Sequence, residues 1–185
     1  MNINERGRRK VGEVVAARHL VSISGNQVAV PAPGALTHLQ FRRFAGCPFC
    51  NLHLRSIANR YEEIRGLGIL EVVVFHSAAE KLRNYNEPQP FPVIADPDRV
   101  LYKEFGVEPS LSAILSPRSW GPLLRGLALK TKPLGVDPGT GPLGLPADFL
   151  IDAQGRILAL KYGEHAYDQW SVDELLAAAN SASLS

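Results

Sequence analysis

The sequence predicts an α/β domain: one mixed β-sheet with helices on both faces. Three observations predict it. The chain has 185 residues, 45% hydrophobic and 21% charged, which supports one core and matches ordinary globular composition. Its segments run strand, helix, strand, helix, then strand, strand, helix. The first half demands a right-handed parallel crossover and the second an antiparallel hairpin backed by a helix. The only two cysteines also sit together, at a strand-to-helix boundary. Residues 1–185 are read as a single domain.

Residues 1–20 read as a short helix or a loose arm. Val21-Ser-Ile-Ser24 and Gln27-Val-Ala-Val30 alternate about Gly25-Asn26, which predicts an N-terminal β-hairpin within 21–34, ended by Pro31, Pro33 and Gly34. Thr37–Phe44 alternates as a strand with Leu39, Phe41 and Arg43 on one face. A helix over Cys47–Ile64 carries Leu54, Ile57, Tyr61 and Ile64 at helical spacing. The β-branched run Ile69–His76 is a buried central strand. Ser77 and Glu80 are spaced as a capping box for a helix toward Tyr85. Phe91–Ala95 is a short strand, and Asp98–Phe105 a short helix closed by Gly106. Phe149–Asp152 and Arg156–Tyr162 flank the turn Ala153–Gly155 as a second hairpin. Ser171–Ala179 closes the chain as a helix, with Ser171 and Glu174 as a capping box.

Residues 107–146 differ from the rest. They hold 13 of the 30 Gly and Pro residues, and between Pro109 and Val136 there is no acid although Arg118, Arg125, Lys130 and Lys132 occur. So long an irregular segment reads as an insertion. It is either a cap that selects an anionic or protein substrate, or a surface excursion packed on its own core, or a contact between two copies in a homodimer. A formal net charge of +2 gives no reason to expect a nucleic-acid partner. No stretch approaches the roughly 18 apolar residues of a membrane span. Glu13, Arg18 and His19 interrupt the apolar core a signal peptide needs. The expected compartment is the cytoplasm, where thiols stay reduced.

Chemistry concentrates at Cys47-Pro48-Phe49-Cys50. With Pro48 at the first helical position, Cys47 becomes the N-cap. A thiolate there faces the free amides of Phe49 and Cys50 and the positive end of the helix dipole. Such sites lower a thiol pKa to roughly 3.5–7.5, so Cys47 is expected to be an exposed, attacking thiolate. Cys50 heads the apolar stripe and is expected to be a sheltered thiol that resolves the product. Two alternatives are two reduced core cysteines, and a metal site of Cys47, Cys50 and His53 with His76 or His165. The second lacks the paired ligands that structural zinc sites show, so no metal or other cofactor is expected. His165, Tyr167, Asp168 and Trp170 precede the last helix either as pocket lining or as ordinary loop residues. Pro146, just before a strand, is either cis or the end of a Pro-rich loop.

Three stretches carry a resemblance: Phe44-Ala-Gly-Cys47-Pro-Phe-Cys50, Pro92–Val107 with its Asp96-Pro-Asp98, and Phe149–Ile157. Through them the chain resembles the thioredoxin-fold superfamily, and within it the peroxiredoxin-like alkyl hydroperoxide reductase/thiol-specific antioxidant family, over about residues 35–180. The resemblance implies a thioredoxin-like fold with Cys47 as redox nucleophile and Cys50 as its partner. It also matches Pro146 to the cis-proline that faces the cysteine pair in thioredoxins, placing the Leu145–Pro146 backbone beside Cys47 to receive an extended substrate. Pro48, Phe49 and Arg43 complete the expected substrate-positioning set. The substrate would be a hydroperoxide or a protein disulfide, and the electron donor a thiol of thioredoxin or glutathione type.

The sequence departs from the family at three points. Peroxiredoxins carry Pro and Thr/Ser seven and three residues before the reactive cysteine, where Gln40 and Phe44 stand here. An arginine before the late hairpin is replaced by Pro146. The hydrogen-bond donors that polarise an oxygen–oxygen bond are therefore missing. Arg42 or Arg43 can substitute, but adjacent strand residues face opposite ways and only one can reach. The expectation is a dithiol/disulfide oxidoreductase, acting as a peroxiredoxin-like antioxidant or in thiol–disulfide exchange. The alternative is a non-catalytic binding module of the same fold.

Overall fold

The computed structural model describes residues 7–85, 88–107 and 145–183. Most of the 107–146 insertion, Trp120 and its basic residues included, lies outside them. The first strand, β1 (Arg18–Val21), pairs antiparallel with β2 (Gln27–Val30). The hairpin thus starts three residues earlier than the sequence predicts. The reason is local: Ser22 closes a wide turn, its amide bonding the Asn26 carbonyl at 2.9 Å while its hydroxyl accepts the Asn26 amide at 3.1 Å. Residues 1–6 lie outside the described residues, and residues 7–17 are neither helix nor loose arm. Gly12 donates to the Ile157 carbonyl at 2.8 Å and Val15 to that of Gly155 at 2.9 Å, so they run as a strap along the late hairpin.

The main sheet contains β3 (Leu36–Arg42), β4 (Ile69–Phe75), β5 (Val93–Ala95), β6 (Ala147–Ile151) and β7 (Ile157–Tyr162), in the order β5-β4-β3-β6-β7. β3, β4 and β5 are parallel; β6 and β7 are antiparallel neighbours. This is the mixed sheet the segment order requires. The alternation of β3 sends Leu39 and Phe41 toward Val72, Val74, Phe105 and Phe149 on one face. The other face packs on Leu54, Ile57, Trp170 and Leu175.

The predicted helix over 47–64 is two helices, α1 (Pro48–Asn59) and α2 (Tyr61–Gly66), because Arg60 leaves helical geometry at φ −115°, ψ 19°. Its side chain bridges Glu63 at 2.8 Å and Asp173 at 2.6 Å. Helices α3 (Ala79–Tyr85), α4 (Val100–Glu104) and α5 (Val172–Ser183) follow. The capping box of α5 forms as expected: the Ser171 amide meets Glu174 at 2.7 Å, and the Glu174 amide meets the Ser171 hydroxyl at 3.2 Å. Ser77 does something else. Its hydroxyl accepts the amide of Ala45 at 3.0 Å, which ties the end of β4 to the loop before Cys47. Asp96 starts α4, accepting the amides of Val100 and Leu101 at 2.9 and 2.8 Å. No helix among the described residues is long and apolar enough to cross a membrane.

Candidate active site

Cys47 lies just beyond the carboxyl end of β3, at the edge where the parallel strands also end. Open α/β sheets place ligands at this edge. Gly46, at φ 75°, turns the chain into α1 in a conformation that suits glycine. Pro48 then occupies the first helical turn, and the Cys47 sulfur accepts the Cys50 amide at 3.4 Å. Arg43 Nη1 lies 4.0 Å from the same sulfur. The guanidinium sits 5.3 Å from the Phe44 ring centroid and 5.7 Å from that of Phe49, an arrangement that favours the cation electrostatically.

These contacts govern ionisation. Burial by itself raises the Cys47 pKa. That is the largest single influence, yet the hydrogen bond from the Cys50 thiol, the Arg43 charge and the amides of Cys50 and Phe49 together outweigh it, and the pKa falls to about 7. Cys50 moves the opposite way: burial, then its bond to Cys47 and the charge there, push its thiol well above the usual range. The pair is reduced, one sulfur poised to ionise and the other holding a proton.

The expectation of an exposed thiolate is wrong, because Cys47 has 0% relative exposure. Capping α1 points the sulfur into the cluster of Phe44, Phe49 and Cys50 rather than outward. Cys50, 1% exposed, is sheltered as its stripe position requires. Between the adjacent arginines, Arg43 reaches Cys47 while Arg42 turns to the opposite face, as strand alternation demands.

Leu145 and Pro146 lie at the same end of the sheet, since Ala147 pairs with Phe41. The Pro146 carbonyl accepts the Gly163 amide at 2.9 Å. A Cβ on Gly163 would come within 2.8 Å of the Pro146 ring and 2.4 Å of the Asp168 carbonyl. Leu145–Pro146 is not cis; the cis proline among the described residues follows Val30. Neither Leu145 nor Pro146 hydrogen-bonds Cys47 among the described residues. Tyr167 packs 6.4 Å from Phe49, whereas Asp168 pairs with Lys161 at 2.8 Å. No group of metal-ligating side chains forms among the described residues.

Beneath α1 lies a polar network that sequence reasoning missed. Arg42 donates to Asp148 at 2.7 Å, to Gln40 at 2.5 Å and to His53 Nε2 at 3.1 Å. His38 lies 2.9 Å from Glu71 and 3.2 Å from Asp148, and Gln40 donates to Glu71. His38, Gln40, Arg42, Glu71 and Asp148 are all completely buried. Burial opposes a charge on His38, yet Glu71 and Asp148 together raise its pKa to about 9. Burial and the Arg42 charge hold His53 neutral, far below the usual histidine range. Against burial, Arg42 and His38 keep Asp148 ionised. The signal was present as single acids, Glu71 and Asp148, inside otherwise apolar strands.

Residues 56–165, more than half of the chain, match the profile of the AhpC/TSA antioxidant enzyme family; the match begins beyond the cysteine pair. No curated protein matches the sequence. Among solved structures, the chain is similar to the peroxidoxin BcpB of Mycobacterium tuberculosis: TM-score 0.67 and 18% identity, covering 93% of this chain and 97% of that one. It is similar to a mutant of peroxiredoxin 6 of Arenicola marina, with TM-score 0.67 and 16% identity over 95% of this chain and 74% of that one. A reduced 2-Cys peroxiredoxin of Plasmodium vivax gives TM-score 0.64 and 14% identity over 92% and 80%. At these identities the likeness establishes the fold, which is thioredoxin-like.

Proposed function

Because the chain belongs to the AhpC/TSA antioxidant enzyme family, we propose that it is a thiol-dependent oxidoreductase cycling Cys47 and Cys50 between dithiol and disulfide. The observation that carries this reading is the Cys47 thiol, held near neutrality at the start of α1 with a protonated Cys50 one turn on. The thiolate attacks either a hydroperoxide oxygen or a disulfide sulfur. With a hydroperoxide, a sulfur–oxygen bond forms, the oxygen–oxygen bond breaks, and the alkoxide takes a proton from water. Cys50 then attacks the Cys47 sulfur, expelling water from the sulfenic acid, or a thiol from the mixed disulfide. Two thiol equivalents from a thioredoxin- or glutathione-type donor restore the dithiol. Arg43 steadies the charge on Cys47, Pro48 and Phe49 set the start of α1, and Leu145–Pro146 offers backbone to an extended substrate.

With Cys47 wholly buried, a reagent reaches it only when the side chains covering it move. That observation favours a second reading, a non-catalytic binding module whose cysteines are core residues. A coupled assay of the purified protein with hydrogen peroxide, cumene hydroperoxide and a small disulfide separates the two. The enzyme reading expects turnover that Cys47→Ser abolishes. Absence of turnover with all three oxidants, and cysteines that stay reduced, would select the binding module.

A further inference from the structure

His76 is one of the buried titratable groups that the redox chemistry of Cys47 and Cys50 leaves unused. It follows β4 at the edge that carries Cys47. Its amide donates to the Arg43 carbonyl at 3.3 Å, and its neighbour Ser77 holds the Ala45 amide. Two bonds therefore pin the 76–77 turn to the loop that presents Arg43 and Cys47. The ring is 1% exposed and packs edge-on against Tyr102, with centroids 5.6 Å apart. Among the described residues, neither Nδ1 nor Nε2 has a hydrogen-bond partner. A buried polar group left unpaired costs free energy, and such groups in native proteins call for a reason.

The tyrosine hydroxyl makes no bond to the ring. It is committed to the carbonyls of Arg42 and Val74 at the strand ends. Burial, then the charges of Arg99 and Arg43, hold the imidazole neutral, with a pKa of about 4. A neutral ring offers one N–H donor and one bare acceptor nitrogen. A partner on either nitrogen need carry no charge, and a hydroxylic group fits both.

Resting on the redox reading of Cys47, we propose that His76 is the hydrogen-bonding subsite for the hydroperoxide group of the substrate. It supplies the donor that the chain lacks where Phe44 stands three residues before Cys47. The ring moves no proton. It donates to the peroxide oxygen that becomes the leaving alkoxide, while the Cys47 sulfur takes the terminal oxygen and is oxidised by two electrons. Solvent then protonates the alkoxide.

The test is His76→Phe, which keeps the packing on Tyr102, beside His76→Gln, which keeps a donor. Stopped-flow oxidation by cumene hydroperoxide is compared with alkylation of Cys47 by iodoacetamide across pH. Loss of one positioned donor predicts oxidation slowed by about 10²-fold in His76→Phe, with partial recovery in His76→Gln and an alkylation midpoint still near 7. Oxidation as fast as in the unaltered protein overturns the proposal. Equal slowing of oxidation and alkylation also overturns it, because the ring would then act on the thiol or the fold. Should the unaltered protein react with hydroperoxide no faster than a free thiol, the redox reading itself falls. Cys47→Ser then decides for His76: tert-butyl hydroperoxide must shift the imidazole nitrogen resonances of the folded protein, and an unmoved spectrum overturns the subsite. The same titration stands in if His76→Phe does not fold.

Discussion

Replacing Arg43 with Met removes a charge 4.0 Å from the Cys47 sulfur and retains an unbranched chain between Phe44 and Phe49. Two unit charges at that distance interact by about 4 kcal/mol at an effective dielectric of 20, an upper bound of roughly three pKa units. The charge acts beside the Cys50 thiol and two amides, which remain in the variant. The expected midpoint therefore moves from about 7 only toward the free-thiol value of about 8.5. At pH 7 the ionised fraction then drops from about one half to about 3%. A more basic thiolate is also more nucleophilic. With a Brønsted slope of about 0.45 it gains roughly fivefold, so the net loss at pH 7 is only about threefold. At pH 10, where both proteins are ionised, Arg43→Met should alkylate about fivefold faster. The crossing of the two rate profiles is the signature. The assay is iodoacetamide alkylation from pH 5 to 10 with Cys50 retained, the label on Cys47 being read by tandem mass spectrometry. A midpoint that stays at 7 in Arg43→Met would show that the guanidinium does not stabilise the thiolate.

Four further outcomes follow from the same geometry. Cys50→Ser should allow one oxidation of Cys47 but no internal disulfide, leaving a sulfenic acid or mixed disulfide visible in the intact mass; normal turnover in this variant would exclude Cys50 as resolving thiol. Asp148→Asn strands Arg42 and His38 in the core, a loss of roughly 3–5 kcal/mol, which at 2–4 °C per kcal/mol lowers Tm by about 10 °C; a calorimetric Tm within 2 °C of the unaltered protein would contradict the network. The pH dependence of stability splits in two. His38 is raised, so its contribution is complete below about pH 6.5 and is lost as pH rises through about 9. Cys47 is lowered, so its contribution is present above its unfolded value of about 8.5 and is lost as pH falls through about 7. Urea titrations should therefore show stability falling from pH 6.5 to 9 in Cys47→Ser and rising from pH 7 to 8.5 in His38→Gln; matching slopes in the two variants would refute both assignments. Gly163→Ala should cost about 1–3 kcal/mol by overpacking against Pro146 and the Asp168 carbonyl, measured as a lower urea midpoint.

Periodicity and punctuation in the sequence determined much of this protein. The β-branched run of β4, the turn between β6 and β7 and the Ser171 capping box act over a few residues, so local chemistry fixed them. The same holds for Cys47 as the cap of α1, because Pro48 and the free amides leave it little choice. Where contacts span the chain, the sequence was silent or misleading. His38, Gln40 and Arg42 alternate with apolar neighbours, a pattern that does not reveal their burial. Their partners Glu71 and Asp148 arrive from strands 33 and 110 residues away from His38, and only sheet pairing brings them into register. Ser77 is spaced to cap a helix, yet the fold spends its hydroxyl on Ala45. The burial of Cys47 and the isolation of the His76 ring were likewise decided in three dimensions. Propensities act between near neighbours, whereas solvent exclusion depends on which distant segments close over a group.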